Sequence, residues 1–421
     1  MTAAARNTAF STANPHALAT ILEASQTKSI IAARDIFEIS GTLLWARDQP
    51  VSNALQRKLL DRRLRDPLES CLLAEDGVTP QALSLCVQAL MERDTPLTVL
   101  LRPHAARVVR EVRHLPLHPV AQLLLTAGQA SRPESFDHAV QAMALAGVLM
   151  LGRGGGTADV RVAMLAGLLH DLGEMYIDPR SGEADADRML DIQSYRHLVV
   201  HPHVGQMLIA QLTDYPAPLA RAIAEHHERL DGSGYPHALQ GNAVSPLGRM
   251  LAVTEAALAV LRSERPELSR VSIALRVVPG EFDLRWVGGI AAAVRSEPAP
   301  QSQLATGEVQ ARLARLEAAL QGAMYRADAL VQSAASPALR EALALAQYLL
   351  GRLRAGWFAS GLWSSQAVEP QDAAEVEAIE DELFFRLCAI ARAAQLRAGE
   401  LPPADLDRLD MLCDTLRAVR D

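Results

Sequence analysis

His226-His227-Glu228-Arg229-Leu230-Asp231-Gly232-Ser233-Gly234-Tyr235-Pro236 sets two adjacent imidazoles and a carboxylate just ahead of a glycine-bearing turn that ends in Tyr-Pro. Upstream stand His138, the doublet His170-Asp171, and His201, each at or beside a segment with helical spacing. Val162, Leu165, Ala166 and Leu169 recur at three- and four-residue steps, so the doublet ends an apolar helix. Glu134 and His138 are four apart and leave the same face of a helix. A lone histidine in such a chain is usually a hydrogen-bonded or surface residue. Five of them with an aspartate, gathered near helix ends, instead imply a metal site assembled from several helices.

The chemistry of that set is informative in itself. Imidazole and carboxylate ligands without thiolate favour iron or manganese, with zinc as the third choice. Two such ions side by side generate hydroxide at neutral pH and stabilise both the attacking and leaving oxygens at phosphorus. Phosphoester hydrolysis is therefore the expected reaction class.

Composition limits the alternatives. A chain of 421 residues exceeds one ordinary core, and a hydrophobic fraction of 49% excludes general disorder. Aromatic residues make up only 4% while Ala and Leu abound, a bias toward helices. The net charge of −8 argues against bulk nucleic-acid binding. The one basic cluster, Arg57, Lys58, Arg62, Arg63 and Arg65, is interrupted by Asp61 and reads as a solvated helix face. Cys71, Cys86, Cys388 and Cys413 show no paired spacing and suit a reducing compartment. No signal-like run follows Met1, and no uncharged window approaches a membrane span. A cytoplasmic protein with no membrane contact is expected.

Along the chain, Ile30-Ile31, Ile36, Ile39 and Leu43-Leu44-Trp45 lie between turn residues and predict a small β-hairpin within 30–51. Helices are expected from Leu55 onward, including 67–75, 80–93, 96–113 and 117–130. The run Gly152–Gly156 lacks the ending of a phosphate loop and reads as a helix–helix connection. Residues 296–303 are rich in Ser, Pro and Gln and predict a linker. Beyond them, Val309, Leu313, Leu316, Leu320 and Met324 form a stripe too short for a coiled coil, so packing in a helical bundle is expected. Three regions follow: a small mixed N-terminal region over 1–115, a helical metal domain over 116–295, and a helical C-terminal region over 296–421.

The text Glu134-x-x-x-His138, Leu169-His170-Asp171-Leu172-Gly173, His201-Pro202-His203-Val204-Gly205 and His226 through Pro236 resembles the HD-GYP family, HD-domain phosphohydrolases that act on cyclic di-GMP. The resemblance covers about 115–290. It implies a mainly α fold, an HD-type helical bundle around a metal site. It also implies metal ligands at His138, His170, Asp171, His201, His226 and His227, with Asp171 bridging. Glu134 matches a carboxylate that adds a third metal in some members, and Glu255 stands where the family has an aspartate ligand. Two or three divalent ions are thus implied. Asp171 and Glu174 are the candidate catalytic groups. Tyr235 matches a loop tyrosine that contacts substrate, and Arg265 is a candidate for binding phosphate. The implied reaction opens cyclic di-GMP to the linear dinucleotide pGpG and, on a second cut, GMP.

Three departures bear on that expectation. Glu174 occupies a position where the family usually has lysine. Glu255 is longer than aspartate by one methylene, which moves its carboxylate outward by about 1.5 Å. Leu268 stands where a second basic residue is usual. The changes at 174 and 268 each reduce positive charge where an anionic dinucleotide would sit. They motivate two alternatives: a metal- or nucleotide-binding signalling scaffold without turnover, and a hydrolase of another phosphoester. The C-terminal helices are the expected place for a protein partner or self-association.

Overall fold

The computed structural model describes residues 9–179, 192–294, 305–333, 336–360, 373–399 and 401–417. The linker expected at 296–303 and the acidic run Glu183, Asp185, Asp187 and Asp191 lie outside the described residues. The chain is mainly helical, with four short strands near its N-terminus. It forms two compact units. The first comprises Met1–Arg188, His197–His226 and Ser245–Thr254; the second comprises Met189–Arg196, His227–Val244 and Glu255–Asp421. Packing thus groups segments by the core they join rather than by their order along the chain.

In the N-terminal part, β1 (Ile30–Ala32) pairs antiparallel with β4 (Leu72–Ala74), and β2 (Ile36–Phe37) with β3 (Leu43–Trp45). The expected hairpin is β2–β3. The helix expected over 67–75 is instead a 3-10 turn at Leu68–Ser70 followed by β4. Its apolar run is too short to show a helical stripe, and its hydrogen-bonding partner lies some forty residues earlier, beyond the reach of local pattern. The single helix expected over 96–113 is likewise two, Pro96–Leu101 and Ala105–Val112, separated by a 3-10 turn at Arg102–His104. Pro103 supplies no N–H there, so the helix cannot run straight through.

The core of the first unit is built on the helices Pro119–Ser131, Pro133–Gly152, Thr157–Leu169, His201–Leu212 and Ala217–Ala224. Leu123, Leu124, Met143, Leu145 and Met164 are fully buried among them. The second and third helices pack backbone to backbone: a Cβ on Gly167 would lie 2.5 Å from the Ala142 carbonyl oxygen. That close approach brings the His138 and His170 segments together. Pro133–Gly152 has the length and hydropathy of a membrane span, although it carries Glu134 and Asp137. Most of it is buried in the protein, which accounts for its apolar character.

In the second unit, Thr306–Ser333, Pro337–Ser360, Ala373–Ala398 and Pro403–Arg417 pack with Leu268–Ala274 around one apolar core. The stripe Val309, Leu313, Leu316 and Leu320 is buried in that core, as bundle packing requires. Charged side chains tie the unit together. Arg386 bonds Glu281 and Glu382 and donates to the Ala274 carbonyl, while Arg265 and Arg270 both engage Glu377 and Asp381.

Candidate metal centre

Four histidines and one aspartate converge in the first unit. His138 comes from the helix Pro133–Gly152, and His170 caps Thr157–Leu169 with Asp171 next to it. His201 opens His201–Leu212, and His226 follows Ala217–Ala224. All four imidazoles are buried. Gly173 makes this convergence possible, because a Cβ there would collide with the His201 carbonyl oxygen and approach Gly205 N within 2.8 Å. Only a bare backbone lets the turn after Asp171 pack onto the start of the His201 helix.

The atoms meet in an ordered way. His138 Nε2 lies 3.2 Å from His170 Nε2, and His201 Nε2 lies 3.1 Å from His226 Nε2. Asp171 divides its carboxylate between the two pairs. Its Oδ2 is 3.4 Å from His138 Nε2 and 3.0 Å from His170 Nε2. Its Oδ1 is 3.4 Å from both His201 Nε2 and His226 Nε2.

Three of the rings are fixed by one local device. His170 Nδ1 sits 2.8 Å from the Gly167 carbonyl, His201 Nδ1 is 2.7 Å from that of Leu198, and His226 Nδ1 is 2.6 Å from that of Ile223. Each is a contact to the carbonyl three residues earlier, where the helix end or turn leaves an acceptor. A carbonyl cannot donate, so Nδ1 carries the proton and the neutral ring turns the lone pair of Nε2 inward.

This arrangement tests whether metal fits. In the His201–His226 pair, lone pairs facing each other at 3.1 Å cannot hydrogen-bond, and protons on both nitrogens would clash. A cation resolves both conflicts. The donor set is nitrogen and oxygen, with one carboxylate oxygen on each imidazole pair, which is the disposition of a carboxylate shared by two ions. Against the upward push of burial, the imidazoles facing it, His170 foremost, hold the Asp171 carboxyl well below the usual carboxylate range. The residues fit divalent metal, with Asp171 common to both groups of ligands.

A profile of the HD domain family matches residues 123–276, the segment that carries every one of these ligands. Residues 123–276 are an HD domain. Its relatives include a cyclic di-GMP phosphodiesterase of Pseudomonas aeruginosa, 34% identical over 167 residues, 39% of each chain. A 3'3'-cGAMP-specific phosphodiesterase of Vibrio cholerae is 28% identical over 158 residues, 37% of this chain and 35% of its own. The cyclic di-GMP phosphodiesterase response regulator RpfG of Xanthomonas campestris is 34% identical over 113 residues, 26% of this chain and 28% of its own. The match covers less than two fifths of the length of these relatives. No solved structure matches.

The other residues singled out in the sequence are placed as follows. Glu134 is exposed at the first turn of the His138 helix and is not among the ligand atoms that cluster within the described residues. Glu174 is buried in the 3-10 turn Leu172–Tyr176, and Arg132 donates to its backbone carbonyl at 3.2 Å. Burial lowers the Arg132 guanidinium, and the negative charges of Glu174 and Glu23 oppose that loss. His227, Tyr235, Glu255 and Arg265 belong to the second unit. There the His227 ring stacks on Tyr235, with centroids 4.5 Å apart and planes 19° from parallel. Glu255 is buried, with Arg262 at 3.8 Å. Arg265, expected to bind phosphate, is occupied by Glu377 and Asp381.

Sequence reasoning passed over two acidic anchors. Glu225 accepts Ser245 N at 2.8 Å within the first unit. In the second, Glu228 accepts His237 N at 2.7 Å and Leu239 N at 2.8 Å, fixing the loop that presents Tyr235. Burial pushes the Glu228 carboxyl up despite those bonds. Two carboxylates flanking the His-His doublet were the available signal, and both serve the backbone.

Proposed function

We propose that this chain is a metal-dependent phosphodiesterase of cyclic dinucleotides, with cyclic di-GMP as its preferred substrate. The observation that carries the reading is Asp171, whose two oxygens each face a separate pair of buried imidazoles. The names borne by the relatives supply the substrate class. Iron or manganese suits the donor set best, held by His138, His170, Asp171, His201 and His226. When bound, such metal would activate water and stabilise charge at phosphorus.

The protein's own part is to hold the ligands rigid. Backbone carbonyls lock three of the imidazoles in the tautomer that binds metal. Gly173 holds Asp171 against the His201 helix. Glu228 braces the loop that offers Tyr235 to the substrate. The four free thiols support a reducing compartment, and we place the protein in the cytoplasm.

One observation favours a second reading, binding without turnover: Glu174 replaces a cation, and Arg265 is already neutralised by acids. The experiment that separates the two uses anaerobically purified chain of known metal content, given cyclic di-GMP, 3'3'-cGAMP and an aryl phosphodiester, with products followed by chromatography. Conversion of cyclic di-GMP to pGpG is expected. Cleavage of the aryl phosphodiester alone would point to another phosphoester, and binding of cyclic di-GMP with no cleavage of any substrate would favour the scaffold.

A further inference from the structure

The second unit contains a row of rings and guanidinium groups that the metal chemistry does not use. It begins at His227, the chain neighbour of the ligand His226. His227 stacks on Tyr235. The Tyr235 ring meets Tyr195 edge to face, with centroids 5.9 Å apart. Arg392, on the helix Ala373–Ala398, then sets its guanidinium 5.4 Å from the Tyr195 ring centre and 5.8 Å from that of Phe385. Tyr195, Tyr235 and Arg392 are each half-buried, and Phe385 is 52% exposed.

Arg392 differs from the other arginines that hold this unit together. Arg265, Arg270 and Arg386 each engage at least two carboxylates. Arg392 has no ion pair among the described residues, only its two aromatic faces. Rings can hold a guanidinium's flat face, but its five N–H donors lie in the plane and need acceptors. Half-exposed aromatic rings beside such a cation are what recognises a nucleobase: the ring stacks, and the guanidinium edge donates to base or phosphate oxygens. Guanine offers two neighbouring acceptors, O6 and N7, to one guanidinium, whereas adenine puts a donor beside N7.

We propose that Tyr195, Tyr235 and Arg392 form the seat of one guanine base of the cyclic dinucleotide. All three residues belong to the second unit, where Arg392 offers a cation with no acid beside it among the described residues. The inference rests on the phosphodiesterase reading above and adds the base specificity.

The test measures binding of fluorescently labelled cyclic di-GMP to the metal-loaded full chain, with unlabelled cyclic di-GMP and cyclic di-AMP as competitors. Arg392→Ala is expected to weaken cyclic di-GMP binding by about tenfold, the scale of losing one stacking or cation–π partner. Its preference for cyclic di-GMP over cyclic di-AMP should shrink by a similar factor. Arg392→Lys, which keeps the charge but not the planar donor edge, should recover affinity more than preference. Tyr195→Phe should bind nearly as the parent does, and Tyr195→Ala should not. Arg397→Ala, on the same helix in a surface pair with Glu341, is the control expected to bind normally. Unchanged affinity and preference in a folded, metal-loaded Arg392→Ala would overturn the inference while leaving the phosphodiesterase reading in place. A parent chain that cleaves an aryl phosphodiester but neither binds nor cleaves cyclic di-GMP would overturn both. Because the readout is binding, a parent that binds without turnover still decides the question.

Discussion

At Asp171 one carboxylate serves two imidazole pairs, so charge and position are required together. Asp171→Asn keeps the shape and removes the shared anion. It should reduce bound metal from two ions per chain to one or none by elemental analysis, with the helical circular dichroism unchanged; two retained ions would contradict a bridging role. Glu174 is a different case. From sequence alone a lysine there would restore charge for a phosphate. In the structure it would place a buried cation beside the half-buried Arg132, whose own charge already suffers from desolvation and is supported by Glu174. Glu174→Lys should therefore lower stability by about 2–4 kcal/mol, the scale of an uncompensated buried charge, read as a fall in Cm for urea. A variant as stable as the parent and faster on cyclic di-GMP would overturn that view. The ligand histidines were legible because they fall at helix ends in doublets. The setting of Glu174 was not, since Arg132 lies forty-two residues away along the chain.

Between elements, the decisive contact is the turn after Asp171 against the start of His201–Leu212. Gly173→Ala adds a methyl where the His201 carbonyl already stands. A loss of about 1–3 kcal/mol from overpacking is expected, together with weaker metal retention on dialysis against chelator. Parent-like values for both would show that the turn can shift freely. In the second unit, Arg386 compensates the buried Glu281, whose carboxyl is raised by burial and pulled back by Arg386 and Arg229. Arg386→Ala leaves Glu281 with only the more distant Arg229 at 3.9 Å. It should cost about 3 kcal/mol or more in thermal or urea unfolding. The apolar stripe of Thr306–Ser333 was readable because a helix shows its buried face every three or four residues. The strand Leu72–Ala74 was not, since three apolar residues have no period and their partner is remote.

At the scale of the molecule, the resemblance and one composition break suggest three consecutive regions, whereas packing groups the chain into two units, each of non-contiguous segments. Boundaries of that kind are set by which core a segment joins, and the chain leaves and rejoins each unit at residues with no compositional mark. The same limit hid the role of the C-terminal helices. Arg265, read as a phosphate ligand, is held by Glu377 and Asp381, more than a hundred residues later. Arg392, unremarkable in sequence, stands free of acids among the described residues and against Tyr195.

The most direct test of the account measures metal content and cyclic di-GMP cleavage on one anaerobic preparation of the full chain, beside Asp171→Ala prepared identically. The account predicts two ions per chain and conversion to pGpG in the parent, with both lost in the variant. Full metal occupancy in the parent with no pGpG formed, or cleavage that survives in Asp171→Ala, would contradict it.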